Sequence, residues 1–259
     1  MIMLIIIISR WYIRRNNSEG SVWLISDAII EKMPWLAKLA GLKKAIAMML
    51  VLTACTYSGY AQDWVLKKGD DHLKIYTAAA QNCANKTVKV ECTVNGKFPQ
   101  VLAALLDVER QKEWVFNTKS SKLLKWVSSN EVVYYSEVSV PWPCTNRDFV
   151  AHLKITQPAP NVMLITSFAD PGFVPEKDGV IRIRSSSAQW TMTETGNTIK
   201  IEYVIQFDPG GIVPGWLTNM FVTKGPYETF AKLQSRMDRP EYRNAHYDFI
   251  KDNALTSKN

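Results

Sequence analysis

Histidine is the first residue type to test for chemistry, because its side chain exchanges a proton near neutral pH. The chain contains three: His72, His152 and His246. His72 stands at the entry of a predicted strand, His246 lies in a polar C-terminal segment, and His152 lies within a predicted strand. The sequence shows no Gly-x-Ser-x-Gly motif, no phosphate-binding loop and no cysteine–histidine spacing typical of a metal site. We therefore predict no catalytic residue, no metal and no cofactor.

Apolar residues at helical spacing are a stronger signal, and they follow a sharp turn. Residues 198–207 alternate as a strand and run into Asp208-Pro209-Gly210-Gly211, where proline fixes one φ angle and the glycines permit positive ones. The next segment predicts a long helix from Gly215 to Met237. Its apolar face includes Trp216, Leu217, Met220 and Phe221. Gly225-Pro226 predicts a kink, because proline removes a helical hydrogen bond.

The elements that must position these residues are predicted from alternation and turn residues. A helix or loop is predicted at Trp64 to Asp71, a helix from Phe98 and a second short helix from Asp107. The predicted strands are 73–80, 87–94, 121–128, 131–140, 148–156, 162–168, 180–193 and 198–207. Because the connections are short, strands that are neighbours in sequence should pair antiparallel. We predict one α+β domain over residues 62–237, followed by a loose polar tail over 238–259.

Composition and charge exclude one class of partner. The chain has 259 residues, 47% of them hydrophobic, which is enough for one sizeable core. The formal net charge is +7, but residues 1–61 hold seven basic and three acidic side chains and so account for +4 of it. The remaining charge is spread without a basic run, so nucleic-acid binding has no electrostatic support.

Residues 1–61 are predicted to be an N-terminal extension and an export signal rather than part of the fold. Lys43-Lys44 precede a short apolar run, 45–54, and Gly59-Tyr60-Ala61 places small residues before a cleavage point. The run is too short to cross a bilayer, which takes ~20 residues, and a buried helix is the less favoured alternative. Residues 1–32 are attributed to a mis-assigned translation start, since Met33 would give a signal peptide of ordinary length.

Leu52-Thr53-Ala54-Cys55 offers a second outcome, because it also matches a bacterial lipobox. The signal would then end at residue 54 and Cys55 would carry lipid. Both outcomes predict an exported protein, periplasmic or extracellular, and we favour cleavage after Ala61 over anchoring through Cys55. The mature chain keeps three further cysteines, which allow at most one disulfide, and free buried thiols are predicted. They are Cys83, Cys92 and Cys144.

Five motifs occur in a fixed order along the chain. They are Asp107-x-x-Arg110-x-x-x-Trp114, Val132-Val133-Tyr134-Tyr135, Pro141-Trp142-Pro143-x-x-Asn146-Arg147-Asp148-Phe149-Val150, Gly179-Val180-Ile181-Arg182, and Asp208-Pro209-Gly210-Gly211-x-x-Pro214-x-Trp216-Leu217-x-Asn219. In this order they resemble the START (StAR-related lipid-transfer) domain family, most closely its phosphatidylcholine-transfer type. The resemblance covers about Trp64 to Met237.

The resemblance implies a helix-grip fold (START/Bet v 1-like), in which a curved antiparallel sheet wraps around a long C-terminal helix and a tunnel holds one lipid. It implies non-catalytic binding of a lipid or other hydrophobic small molecule by a monomer. Transient contact with a membrane surface would allow transfer between membranes. The residues that it places at the tunnel or its lid are Tyr135, Arg147, Phe149, Trp190, Trp216, Leu217, Met220 and Phe221. For Arg147 and Asp148 we favour a structural salt bridge over headgroup contact.

The resemblance is incomplete where phosphatidylcholine carriers place aromatic rings around choline. The corresponding positions here are Ser136, Phe149 and Ser186, and a shift of one residue would add Tyr135. A quaternary ammonium is held by several aromatic faces, so the sequence does not predict choline binding. The acidic–basic pair of some sterol carriers is not matched either, and the lipid class stays open.

Two other functions remain as alternatives. The same fold occurs in cyclases and hydrolases, so an enzyme acting on a hydrophobic substrate is the first, with His152 as its acid–base candidate. A histidine in a strand is more often structural, which disfavours it. The second alternative is a lipid-sensing lipoprotein tethered through Cys55.

Overall fold

The computed structural model describes residues 63–78 and 86–251. The predicted export signal, Cys55 and Cys83 lie outside the described residues. Within the described part, ten strands form one sheet. They are β1 (Trp64–Gly69), β2 (Leu73–Ala78), β3 (Lys86–Asn95), β4 (Thr118–Ser128), β5 (Glu131–Val138), β6 (Asn146–Ala159), β7 (Val162–Ala169), β8 (Val180–Arg182), β9 (Ser186–Thr195) and β10 (Thr198–Phe207).

Pairing in the sheet is antiparallel throughout its main path. The strand order is β1-β2-β3-β10-β9-β7-β6-β5-β4, and β8 alone pairs parallel, with β6. β1 and β4 therefore stand at the two edges. The pairing of β1 with β2 shifts register once, and that of β4 with β5 shifts three times. The predicted antiparallel arrangement of an α+β fold is confirmed.

The two faces of the sheet differ in what covers them. In β3, Val88, Val90, Cys92 and Val94 are buried on one face, and Glu91 and Thr93 lie on the other. This alternation follows from the two-residue repeat of a strand. The first face packs against Phe230, Leu233 and Met237 of the C-terminal helix and forms the main core. We call it the inner face, and the opposite one the outer face.

Five α-helices, one 3₁₀ helix and one π-helical turn complete the described part. They are α1 (Phe98–Leu106), the 3₁₀ helix (Val108–Glu113), α2 (Gly215–Asn219), the π-helical turn (Met220–Lys224), α3 (Gly225–Ala231), α4 (Leu233–Met237) and α5 (Pro240–Arg243). Residues 215–237 together form the long C-terminal helix that the sequence predicts. No helix among the described residues is both long and apolar enough to cross a bilayer.

The predicted irregularity in the C-terminal helix is present, one turn before its expected position. The π-helical turn ends at Lys224, and Gly225-Pro226 begins α3. Proline has no N–H to donate to the carbonyl four residues earlier, which favours a wider turn there. Gly225 also allows close packing, because a β-carbon at this position would lie 3.0 Å from the Phe116 ring.

Three segments differ from the sequence predictions. Trp64–Gly69 is a strand rather than a helix or loop, and the predicted strand 180–193 is divided into β8 and β9. The tail is not loose between residues 238 and 250. Tyr242 is buried in α5, and its hydroxyl accepts a hydrogen bond from Arg236 at 2.6 Å. The apolar residues that pack beside it on the core are Ala245, Tyr247, Phe249 and Ile250.

Candidate functional site

The inner face carries a group of aromatic side chains beneath the C-terminal helix. Trp190 of β9, Tyr203 of β10 and Phe230 of α3 stack on one another, with ring centroids 4.7, 5.0 and 5.4 Å apart. Nearer the other edge of the sheet, Tyr134 and Phe149 meet edge to face at 6.0 Å. These five residues, called the inner aromatic residues below, come from four strands and the helix. They give the side of the sheet that faces the helix an uncharged, apolar surface.

Two of the inner aromatic residues lie deep in the protein and yet keep some accessible surface. Tyr134 and Tyr203 are surrounded by protein, and burial raises the pKa of both phenols, that of Tyr134 to about 12. Yet both side chains keep part of their surface accessible. The two facts agree if the accessible part faces an interior space rather than bulk solvent. Among the described residues neither hydroxyl has a hydrogen-bond partner, so both are available to a ligand.

The predicted tunnel residue Tyr135 lies on the other side of the sheet. Its ring is buried on the outer face with Val133 and Val150, and the Lys177 ammonium lies 4.5 Å from the ring centroid. The neighbouring Tyr134 occupies the inner position instead. The placement of Tyr135 in the tunnel is therefore wrong, because successive side chains of a strand point to opposite faces.

The two other aromatic residues that were predicted on strands to line the tunnel, Phe149 and Trp190, both belong to the inner aromatic residues. Sequence reasoning missed Tyr134 and Tyr203 as inner residues. For Tyr203 a signal was present, because it continues the alternation of the buried Ile199 and Ile201.

The four tunnel or lid residues predicted on the C-terminal helix lie in three different environments. Phe221 faces the sheet and meets Phe207 edge to face at 6.4 Å. Leu217 and Met220 are buried in a separate cluster with Val140. Trp216 is 48% exposed and lies outside both clusters. The structure thus brings Phe221 to the inner face, and it does not bring Trp216 there.

The structural salt bridge favoured for Arg147 and Asp148 at the start of β6 is present for Asp148, and among the described residues it does not include Arg147. Asp148 forms a bidentate ion pair with Arg182, at 2.7 and 3.0 Å, and both side chains are only 1% exposed. Arg182 also donates to the carbonyls of Pro171 and Val174, so it holds the segment 170–179 on the outer face. Arg147 takes no part in this salt bridge. Its guanidinium donates to the carbonyls of Thr145 and Gly210.

Glu137 is the centre of a second group of polar contacts on the outer face, besides the Asp148–Arg182 ion pair. Its carboxylate is 2.7 Å from Lys119 Nζ and 3.2 Å from Lys177 Nζ, and Asn146 donates to it at 3.2 Å. Burial alone would raise the pKa of this carboxyl. The hydrogen bonds from Lys119, Lys177 and Asn146 outweigh burial and lower the pKa to about 2. Lys177 belongs to the segment 170–179, so Glu137 and Arg182 fasten the same segment.

A patch of exposed apolar side chains lies where two loops meet. Trp142 and Ile212 are both 91% exposed, and Trp216 is close to Ile212 in sequence. The two loops are joined by the buried cluster of Leu217 and Val140, against which Cys144 and Val213 pack. We call Trp142, Ile212 and Trp216 the exposed apolar patch. Isolated exposed apolar residues are ordinary, but two tryptophans and an isoleucine on two adjoining loops and the helix that follows one of them are typical of an interaction surface.

The histidines lie away from the inner face. His152 is on the outer face, where its Nε2 is 2.6 Å from a Glu131 carboxylate oxygen and its ring lies 4.8 Å from that of Phe168. His72 and His246 are exposed. His152 therefore could not act on a ligand held beneath the helix, and the acid–base role considered for it has no geometric support.

The outer face also carries a groove of about 420 Å³. Its lining includes Asp71, Lys74, Glu91, Lys200 and Glu202, which are charged, and several threonines. Burying an acyl chain against charged groups would desolvate them without giving them partners. The apolar inner face beneath the helix is therefore the better candidate for contact with a hydrophobic ligand.

The cysteines that the structure describes are both free. Cys92 is buried in the main core, and burial raises the pKa of its thiol to about 12. Cys144 is half-buried beside Val140. The prediction of a free buried thiol therefore fits Cys92 fully and Cys144 in part.

A comparison with known protein families agrees with the five motifs and with the sheet-and-helix geometry. In it, the model of the START domain family matches residues 56–243. The chain belongs to the START domain family. An uncharacterized protein of Pseudomonas aeruginosa (PA1579) is 29% identical over 201 residues, covering 76% of this START protein and 99% of the relative. The mouse phosphatidylcholine transfer protein is 30% identical over 170 residues, covering 63% and 78% of the two chains.

A solved structure supports the same conclusion. The STAR-related lipid transfer protein of Xanthomonas axonopodis (fragment 25–204) superposes with a TM-score of 0.63 at 27% identity. The match covers 68% of this START protein and 99% of that fragment. The family and the fold predicted from the motifs are therefore confirmed.

Proposed function

We propose that this START domain binds one lipid or other hydrophobic ligand between the inner face and the C-terminal helix, without catalysis, and carries it between membranes. The observation that supports this most directly is the uncharged wall formed by the inner aromatic residues, two of which keep accessible surface deep in the protein. Relatives named for phosphatidylcholine transfer and lipid transfer support the same ligand class.

An apolar space is needed because each CH₂ group removed from water contributes ~0.8 kcal/mol. A lipid with two long acyl chains is effectively insoluble without such a space. A carrier must also let the lipid in and out, which requires a movable cover. The turn Asp208 to Gly211 and the π-helical turn Met220–Lys224 are the irregular parts of the cover. We propose that they open when the protein meets a bilayer.

The binding space can be tested by filling it. Ala188 of β9 is half-buried and shares its face with Trp190, and the next residue, Gln189, is exposed on the outer face. Ala188→Trp should reduce lipid uptake in native mass spectrometry after incubation with mixed lipids, sterols and fatty acids. Gln189→Trp is the matched control and should load as the wild type does. An empty wild-type protein, or equal loading in both variants, would refute binding in this space.

The membrane surface that we propose as the transient partner is contacted by the exposed apolar patch. Tryptophan is suited to the membrane interface, since its ring is apolar and its N–H remains hydrated. The double variant Trp142→Ser, Ile212→Ser should transfer lipid between vesicles more slowly while retaining its equilibrium load. Val127→Ser is the control, because Val127 is also exposed but lies on β4. Unchanged transfer in the double variant would remove the patch from the mechanism.

We further propose that the protein is exported, to a periplasmic or extracellular location. The export signal ending at Ala61 would release a soluble carrier, whereas lipidation at Cys55 would leave a tethered domain that senses or holds lipid. The lipobox Leu52-Thr53-Ala54-Cys55 is the feature that keeps the second possibility open. The intact mass of the mature protein distinguishes the two, since only the lipidated form starts at Cys55 and carries acyl groups.

A further inference from the structure

Arg147 differs from every other buried charged residue that the structure describes. Five of the six have a partner of opposite charge within 4 Å: Glu137 with Lys119, Asp148 with Arg182, Glu194 with Lys97, Arg182 with Asp148, and Arg236 with Glu113. Arg147 is 1% exposed, and no described carboxylate lies within that distance of it. Its Nε is buried without a hydrogen-bond partner among the described residues.

The contrast with Arg182 shows that the lack of a partner is specific to one position. Asp148 follows Arg147 directly in β6 and pairs across to Arg182 in β8, while Arg147 is paired in register with Ile181. The strand alternation places Asp148 and Arg182 on the outer face. Arg147 lies on the same face as Phe149, two residues further along, which is one of the inner aromatic residues. The unpaired charge therefore lies at the inner face.

An unpaired buried charge is unfavourable, because it has lost its hydration without gaining an opposite charge. Arg147 is covered by the turn that contains Gly210. Its terminal nitrogen donates to the Gly210 carbonyl at 3.4 Å, and Gly210 and Gly211 have φ angles of 69° and 65°. Ile212, the next residue, belongs to the exposed apolar patch. A movement of this turn at a membrane would free the guanidinium donors beside the ligand space.

We propose that Arg147 is the binding site for an anionic headgroup, so that the ligand class is an amphiphile with a carboxylate or a phosphate. A guanidinium offers five N–H donors in a planar fork that fits both groups. The anion takes the position of the Gly210 carbonyl once the turn has moved, while the acyl part lies along the inner aromatic residues. This inference rests on the proposed function, because it concerns the polar end of the same ligand.

The test compares ligands that differ only in charge. Wild-type protein is titrated with oleate and oleyl alcohol, and separately with phosphatidic acid and diacylglycerol of the same acyl chains. We expect the charged member of at least one pair to bind at least about tenfold more tightly, as charge-assisted hydrogen bonds contribute that much. The pair that shows the preference identifies carboxylate or phosphate as the headgroup. Equal affinity within both pairs overturns the assignment of Arg147, and failure of all four ligands to bind overturns the proposed function instead.

Variants then show which residue causes the preference for the charged ligand. Arg147→Met should bring the charged ligand to the affinity of its uncharged partner while leaving the uncharged ligand's affinity unchanged. Arg184→Met is the control, because Arg184 is exposed and pairs with Glu176, and it should keep the full preference. A thermal melt adds a readout that requires no ligand: Arg182→Met should lower the Tm more than Arg147→Met, since only the former leaves a carboxylate unpaired. If Arg147→Met retains the preference for the charged ligand, the proposal is wrong.

Discussion

The acid stability of this START domain should depend on Glu137. The hydrogen bonds from Lys119, Lys177 and Asn146 outweigh its burial and lower the pKa of its carboxyl from 4.5 to about 2. The folded pKa is the lower one, so the stabilisation is fully present above pH 4.5 and is lost as the pH falls through about 2. A pKa difference of one corresponds to ~1.36 kcal/mol, so the carboxylate contributes about 3 kcal/mol at neutral pH. About 2 kcal/mol of this should be lost between pH 7 and pH 3.

Glu137→Gln removes the titrating group with little change in shape. The two lysines that it releases are 55% and 52% exposed, so they can hydrate instead of remaining as buried charges. Urea unfolding followed by tryptophan fluorescence at pH 7, 5, 4 and 3 gives the free energy of unfolding for both proteins. The difference between wild type and variant should fall from about 3 kcal/mol at pH 7 to about 1 kcal/mol at pH 3.

Glu202→Gln is the matched control for this experiment. Glu202 is exposed on the outer face of β10, and replacing an exposed side chain of this kind should change the free energy of unfolding by no more than ~0.5 kcal/mol. If the wild type and Glu137→Gln lose the same stability between pH 7 and pH 3, the interpretation of Glu137 as a strongly stabilised carboxylate is refuted.

Two further stability measurements test other contacts. Gly210→Ala should destabilise the fold by ~1–2 kcal/mol in urea unfolding, because Gly210 has a φ of 69° and an added β-carbon would lie 2.9 Å from Ile181. Gly172→Ala, where nothing lies within 4 Å, should stay within ~0.5 kcal/mol, and similar losses in both would refute the steric argument. Tyr242→Phe should cost ~1–3 kcal/mol by depriving Arg236 of its 2.6 Å acceptor, and an unchanged Tm would show that the folded-back tail is not anchored there.

Most strands were predictable because one face of each is buried and the other is hydrated. β10 is an example, since its observed bounds, Thr198–Phe207, coincide with the predicted ones. The break between β8 and β9 was not predictable from local pattern. There Ile183 donates its N–H to the Asp148 carbonyl, and Ser185 accepts from the Asp208 N–H. Both partners are distant in sequence, so the neighbouring residues alone do not show where the pairing changes.

The inner position of Tyr134 could not be distinguished from that of Tyr135 in the sequence. Along Val132-Val133-Tyr134-Tyr135, the inner residues meet the core and the outer ones are covered by Leu124 and Val174. A strand that is buried on both faces shows no alternation, so its register has no local signal. Only the segment 170–179, folded over the outer face, explains why apolar residues occupy both sides.

The folded-back tail was missed for a related reason. Residues 238–251 are mainly polar, and their few apolar side chains show no helical or strand repeat. What orders the segment is a long-range contact. The hydroxyl of Tyr242 bonds to both Arg236 and Asp107, and Asp107 is 135 residues away in sequence. Such a contact becomes visible only when the 3₁₀ helix and the C-terminal helix are placed together.

The two edge strands have a consequence for how the protein behaves at high concentration. An edge strand with free backbone groups can recruit another copy and start aggregation. In β1 and β4 the register shifts interrupt the edge, and exposed lysines repel a second copy. They are Lys67 and Lys68 on β1, and Lys119, Lys122 and Lys125 on β4. A protein with exposed tryptophans can thus keep its sheets from associating with one another, which supports the proposal of a monomeric carrier.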